Sequence, residues 1–295
     1  MIEVWKYPIE RINELIPDSI WQLHSEFTNG VNLVDEAGNL LFIGTDKNGE
    51  LPFGLHLTFR NLVHFKAELN KNTRFHYHNL TFVNQENQEN LEYSLSLKNS
   101  TPYSVALEKK GQLNSDAVDS LFKWASKEEK KRNGLGEYLP TTEFILDNWM
   151  IENKQAIGYL FSENPVEIQH GLRYFIGRGQ GLTPSGDDFL VGLLSLEKGF
   201  SIIDNQFEII LETFVSSEKL TTDISEAYLQ AALKGRFSTS INQLIDVLAG
   251  TKNKTALPDI LTKIIQNGHT SGIDTLTGIL VGLLIGTKDI KKGAS

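Results

Sequence analysis

The chain contains no cysteine. A disulfide scaffold, a thiolate metal centre and cysteine nucleophilic catalysis are therefore excluded. Long hydrophobic runs are missing as well. The longest, residues 279–285, falls far short of the ~20 apolar residues that cross a bilayer, so no membrane partner is expected. The opening residues mix acids and bases without an apolar stretch; no secretory signal is read there, and the expected location is the cytoplasm. Clustered positive charge is also scarce. Net charge is −9, and basic runs such as Lys130-Lys131-Arg132 stand isolated. Nucleic acid, whose binding rests on a Lys/Arg footprint, is not an expected partner. A G-x-x-x-x-G-K-S/T motif is absent, which argues against a P-loop nucleotide site.

What is present is an ordinary globular composition. Hydrophobic residues make up 40% and charged residues 22% of 295, enough for one large or two ordinary domains with a sizeable core. Residues 21–27, 39–44, 74–78 and 91–97 read as strands. The last two alternate with period two, and Asn-Gly and Ala-Gly-Asn turn signals punctuate the region. The polar tract 84–90 reads as an exposed hairpin loop. From residue 114 apolar residues recur at spacings of three and four, over 115–131, 142–161, 166–176, 207–215, 224–233 and 241–248. Ser115 and Thr142 suit N-caps; Gly134 and Gly235 suit C-caps. The expected fold class is α+β: a small β barrel or sandwich over 1–113, followed by an all-α domain over 114–295.

One pattern, S-G-x-D-x-L-x-G-x-L, occurs twice, starting at Ser185 and 86 residues later at Ser271. Each copy reads as a helix start: Thr183 can cap, Pro184 suits the first helical position, and Ser-x-x-Asp has capping-box spacing. On a wheel of 100° per residue, Ser185, Asp188 and Gly192 share a face, as do Ser271, Asp274 and Gly278. A mid-helix glycine costs ~1 kcal/mol relative to alanine, so two at the same step point to helices crossing at backbone distance, with Gly282 and Gly286 extending the smooth face. The helix starts and aspartates would then converge on one cleft, ~10 Å from the crossing at 1.5 Å rise per residue. A plainer account exists, in which capping explains Ser and Asp and packing explains Gly. The repetition, Asp187 beside Asp188, and Gly177, Gly179 and Gly181 just before favour a site. These glycines are no dinucleotide fingerprint, because residues 169–176 before them read as helix.

Around the cleft, Thr222 in the polar segment 221–225 is placed to reach it, and Arg178 or Arg236 to contact an anion. His269 is the histidine nearest the second copy. His76 and His78 read as a surface pair, His24 and His56 as core or interface residues, and the four tryptophans as core.

The run from Gly177 to Gly192, G-x-G-x-G-L-T-P-S-G-D-D-F-L-x-G, resembles the signature of the AllH-like family, which includes a subunit of bacterial oxamate carbamoyltransferase. Thr270 to Gly278 and Thr221 to Ser225 resemble further family blocks, and Leu23-His-Ser25 with Val31-Asn-Leu33 is a weaker match. Gln180 stands where proline is common, and Arg178 is unusual in that loop; both bear on which anion fits. The resemblance implies carbamoyl transfer in allantoin breakdown, with oxalurate and phosphate giving oxamate and carbamoyl phosphate. It also implies other subunits of a complex, or a homo-oligomer, as partners. Arg178, Gly179, Gly181, Thr183, Ser185, Gly186, Thr222, His269, Thr270, Ser271 and Gly272 are the expected small-acid and phosphate contacts. Asp187, Asp188 and Asp274 are the expected catalytic carboxylates. Three carboxylates repel phosphate, so they must serve in some other way, by accepting hydrogen bonds from the carbamoyl NH2, acting as general base, or holding a divalent cation such as Mg²⁺ or Mn²⁺. The competing class is a non-catalytic acid-binding or scaffold subunit.

Overall fold

The computed structural model describes every residue except 48, 68, 86–92, 129, 142–147, 204, 294 and 295, and leaves the side chains of 205 and 287–293 undescribed. Most of the expected loop 84–90 and the expected helix start at Thr142 therefore lie outside the described residues. Contacts divide the chain into two units, Met1–Ala106 and Leu107–Ser295.

The first unit carries strands β1 (Ile2–Glu3), β2 (Lys6–Pro8), β3 (Ile20–Phe27), β4 (Gly30–Asp35), β5 (Leu40–Gly44), β6 (Gly54–His56), β7 (Arg74–His78), β8 (Thr81–Asn84), β9 (Leu95–Ser96) and β10 (Thr101–Tyr103), with helices α1 (Ile9–Ile12) and α2 (Phe59–Ala67). The strands form one mixed sheet in the order β1-β9-β8-β7-β3-β4-β5-β6-β2-β10. A sandwich is not formed. Val4 N–H donates to Ser96 O (2.8 Å) and the next residue, Trp5, donates to His56 O (2.7 Å). Consecutive residues thus bond near opposite ends of the strand order, so the sheet curls back on itself. Alternation fills its interior: Phe75 and Tyr77 of β7 point in, joining Trp21, Leu33, Ile43, Phe65 and Phe82 in one apolar cluster. His76 and His78 face out against Asp18 (3.3 and 3.0 Å). His56 is fully buried, its Nε2 2.9 Å from the Tyr103 hydroxyl. Trp5, expected in the core, is 47% exposed. A register shift between Leu23 and Ser25 interrupts the β3–β4 ladder at His24, which is exposed and so not a core residue.

The second unit is helical: α3 (Ser115–Lys127), α4 (Ile151–Leu160), α5 (Pro165–Phe175), α6 (Ser185–Phe200), α7 (Asn205–Ser217), α8 (Asp223–Leu233), α9 (Thr239–Leu248), α10 (Leu257–Ile265) and α11 (Ser271–Gly293). Helix α3 is capped by Asn114, whose side chain accepts from Ala117 N, not by Ser115. It ends at Lys127, so Gly134 caps nothing and takes up another position, described below. Gly235, with φ +70°, follows the end of α8 as a left-handed cap. Helix α6 is apolar on nearly all sides and buried from Ser185 to Glu197, as a central core helix must be.

Helices α6 and α11 cross at the repeated glycines. A Cβ on Gly192 would stand 2.1 Å from Thr275 O, and one on Gly278 2.1 Å from Phe189 O. The two copies meet backbone to backbone in near-equivalent ways. Their starts are equivalent too: a Cβ on Gly186 would stand 2.0 Å from Phe175 O at the end of α5, and one on Gly272 1.8 Å from Ile264 O at the end of α10. The repeat is therefore helix, glycine turn, helix, with α5–α6 as one copy and α10–α11 as the other.

Candidate functional site

Ser185 and Ser271 are the first residues of their helices, not caps. Pro184 occupies the cap position of α6 without a side-chain hydrogen bond. The capping-box account of Ser-x-x-Asp therefore does not describe the folded chain. The hydroxyls cross over instead. Asp188 is hydrogen-bonded by Ser271 and Thr183, and Asp274 by Ser185 and Thr270, so each carboxylate is held by the serine of the other copy. Thr183 Oγ1 also lies 2.9 Å from Ser271 Oγ.

Three segments converge on this pair. Gly134, far away in sequence, donates its backbone N–H to Asp274 Oδ1 at 2.7 Å. A Cβ there would fall 1.9 Å from Ser185 Oγ, so any larger residue would push the serine hydroxyl from its place. Gly179, with φ +120°, closes on Ser185 from the other side: a Cβ would lie 2.7 Å from its backbone N. Tyr228 of α8 is close enough for the charge of Asp188 to act on its hydroxyl.

Both aspartates are buried, and Asp188 Oδ2 and Asp274 Oδ2 accept no hydrogen bond. Burial raises the Asp188 carboxyl well above the ordinary carboxylate range, and the charge of Asp274 adds to the rise; the Ser271 and Thr183 hydroxyls oppose it. Asp274 is raised by burial, against hydrogen bonds from Gly134, Thr270 and Ser185. Tyr228 is raised by burial and then by the Asp188 charge. Two neighbouring buried carboxylates with one orphaned oxygen each form a polar site short of partners.

Asp187 faces elsewhere. It accepts from Gly177 N (2.9 Å), from the Thr221 hydroxyl and from Ser225 Oγ (2.7 Å), tying the glycine loop to the start of α8. Burial raises its carboxyl and these donors counter the rise. Thr222 caps α8 through Ser225 N (3.1 Å) and donates to Leu182 O, which fixes the same loop from outside. The N–H groups of Gly186 and Gly272 bond to Arg178 O (2.8 Å) and Asn267 O (3.1 Å), so these two serve the turns.

Beside the carboxylate pair opens a cleft of about 700 Å³, lined by Gly134, Leu135, Arg178, Gly179, Gln180, Gly181, Ser185, His269 and Thr270. Arg178, Gly179, Gly181, Ser185, His269 and Thr270 of the expected contacts are thus brought together. Gly134, Gln180 and Tyr228 are additions. Gly134 lies in a loop with no apolar period or repeat to flag it. Tyr228 lies one turn beyond Ile224 and Ser225, a spacing that places it on their side of α8.

The geometry defines first a class: a mixed α+β protein with an open polar cleft beside two buried carboxylates at duplicated helix starts. Among the described residues, no group of three or more His, Asp or Glu side chains is placed to share a metal ion, and no helix is long and apolar enough to cross a membrane. Family comparison then gives the particular. A model described as oxamate carbamoyltransferase subunit AllH matches residues 175–283, and one described as the AllH family N-terminal domain matches residues 6–102. The chain belongs to the AllH family. No solved structure matches it.

Proposed function

We propose that this chain is a carbamoyltransferase subunit that binds a ureido acid of the oxalurate type, with phosphate, in the cleft beside Asp188 and Asp274. The observation that carries this reading is the pair of orphaned buried oxygens, Asp188 Oδ2 and Asp274 Oδ2. A carbamoyl group offers an N–H donor to the unprotonated oxygen and its carbonyl oxygen to the protonated one, the complement of a carboxylate pair that shares one proton. Negative groups of substrate and phosphate belong at the rim, near Arg178 and the backbone of 179–181, away from the carboxylates. The family description, a subunit of an oxamate carbamoyltransferase, supports the same chemistry and a complex with other chains.

In the degradative direction a phosphate oxygen attacks the carbamoyl carbon of oxalurate. The C–N bond to the oxamate nitrogen breaks, and that nitrogen takes up the proton that phosphate gives up. Two like charges buried side by side are costly, so the Asp188–Asp274 pair retains a proton that solvated carboxylates would release. A proton held there can pass to the departing nitrogen and be replaced from phosphate, which balances the step. Arg178 and the loop N–H groups are suited to the charge that develops on the carbonyl oxygen. Asp187, saturated by three donors, positions the loop. Thr222, Gly186 and Gly272 hold the turns.

The test is a coupled assay of carbamoyl phosphate formed from oxalurate and phosphate, with the chain alone and with its co-expressed partner subunits. Asp188→Asn should lower turnover at least a hundredfold in whichever preparation is active. An Asp188→Asn complex with normal turnover would assign the chemistry to a partner chain and leave this one as a scaffold.

A further inference from the structure

Arg178 stands at the rim of the cleft with its guanidinium carbon 3.9 Å from the centre of the Tyr174 ring. Among the described residues no carboxylate pairs with it. Arg173, five positions earlier, is by contrast held by both oxygens of Glu218 at 3.0 and 2.6 Å. The ring under Arg178 is itself fixed. Tyr174 Oη donates to Asn153 Oδ1 at 2.7 Å, and Asn153 Nδ2 donates to Glu137 Oε1 at 2.6 Å, which also accepts Met150 N at 2.7 Å. Asn153 is fully buried and Glu137 is 4% exposed. The guanidinium also hydrogen-bonds the Tyr174 hydroxyl; its remaining edge donors face the cleft for an oxyanion, and a ring anchored through its hydroxyl denies it other orientations.

We propose that Glu137, Asn153 and Tyr174 are positioning residues for Arg178, a relay that holds the guanidinium at the cleft as the recognition point for an oxyanion of the ligand. This deepens, and rests on, the anion-binding reading of the cleft given above. Tyr174→Phe keeps the ring but removes the hydroxyl's bonds to Asn153 and to Arg178 together; Asn153→Ser breaks only the link to Asn153 and isolates the relay.

Two measurements on the full chain test it. The first is the ¹⁵Nε–H resonance of Arg178 without ligand, which the ring displaces. Tyr174→Phe and Asn153→Ser should move or broaden it, and a resonance left as in the wild type overturns the relay. The second is titration calorimetry with inorganic phosphate and, separately, oxamate. Asn153→Ser and Tyr174→Phe should each weaken at least one of them about three- to tenfold at a temperature where both variants remain fully folded. The Tyr174→Phe/Arg178→Met double variant should bind no more weakly than Arg178→Met alone. Loss for oxamate alone assigns a carboxylate to Arg178, and loss for phosphate alone assigns a phosphoryl group. Additive losses overturn the relay. A displaced resonance in a protein that binds neither oxyanion overturns the cleft reading, and recognition with it, while the positioning stands.

Discussion

Gly192→Ala reverses an effect that helix propensity alone would make favourable. In an unconstrained helix the change gains ~1 kcal/mol. Here the new Cβ would stand 2.1 Å from Thr275 O and 3.1 Å from Ile279 N, closer than a methyl carbon can approach a carbonyl oxygen. Neither atom can rotate away, because both belong to the backbone of α11, so the helices must separate by about 1 Å. Separation on that scale forfeits a quarter to a half of each dispersion contact along the seam. Overpacking against rigid neighbours costs ~3 kcal/mol at the upper end of the usual range, and subtracting the propensity gain leaves a net loss of ~2 kcal/mol. The reciprocal Gly278→Ala, whose Cβ would stand 2.1 Å from Phe189 O, should lose a similar amount. Gly158 in α4 is the control: it is exposed and a Cβ there meets nothing within 4 Å, so Gly158→Ala should stabilise by ~1 kcal/mol. Urea titrations followed by circular dichroism at 222 nm should show Gly192→Ala shifted down by about 1 M and Gly158→Ala shifted up. Equal shifts of the same sign in both would refute the crossing argument.

Other outcomes follow from the carboxylate pair. The folded chain holds the Asp188 proton above the ordinary 3.8, so from there upward it binds more protons than the unfolded chain, and stability falls as pH rises towards the raised value. Asp188→Asn removes that slope; its stability relative to wild type should increase as pH rises from about 4, and a difference that stays flat contradicts the burial argument. Binding of phosphate or oxamate should be the same with EDTA as with Mg²⁺ or Mn²⁺. Should binding need the metal, and Asp188→Asn with Asp274→Asn abolish that dependence, the aspartates are cation ligands and the carbamoyl NH2 assignment falls.

Local pattern makes part of this molecule readable from its sequence. The switch from period two to period three and four separates sheet from helices, because side-chain direction is set residue by residue. The glycine at the seventh step after each serine marks the crossing, because in a helix only close approach repays its cost. The same residues mislead about their partners. Ser185 and Asp188 have the spacing of a capping box, yet the serine bonds to Asp274 on the other copy, and spacing within one segment cannot express a bond between two. Gly134 is the sharper case. Its role depends on a carboxylate 140 residues away, and within its own segment it reads as an ordinary helix stop. Strand order is hidden for the same reason: β1 pairs in parallel with β9, and neither short strand carries a mark of the other. Helix α10, which follows the last of the periodic stretches read above, carries Pro258 in its first turn, where proline is tolerated.

The crossed serines have a further meaning. A contact in which each half offers the other the same group is isologous, the relation found across the two-fold axis of a homodimer, here folded into one chain. A change at Ser185 is felt at Asp274, and one at Ser271 at Asp188, so the two halves are coupled through their carboxylates. The symmetry is not complete. Gly134 serves Asp274 alone, and where Ile273 precedes Asp274, the charged Asp187 precedes Asp188. The two carboxylates therefore stand in unequal surroundings although their helices repeat.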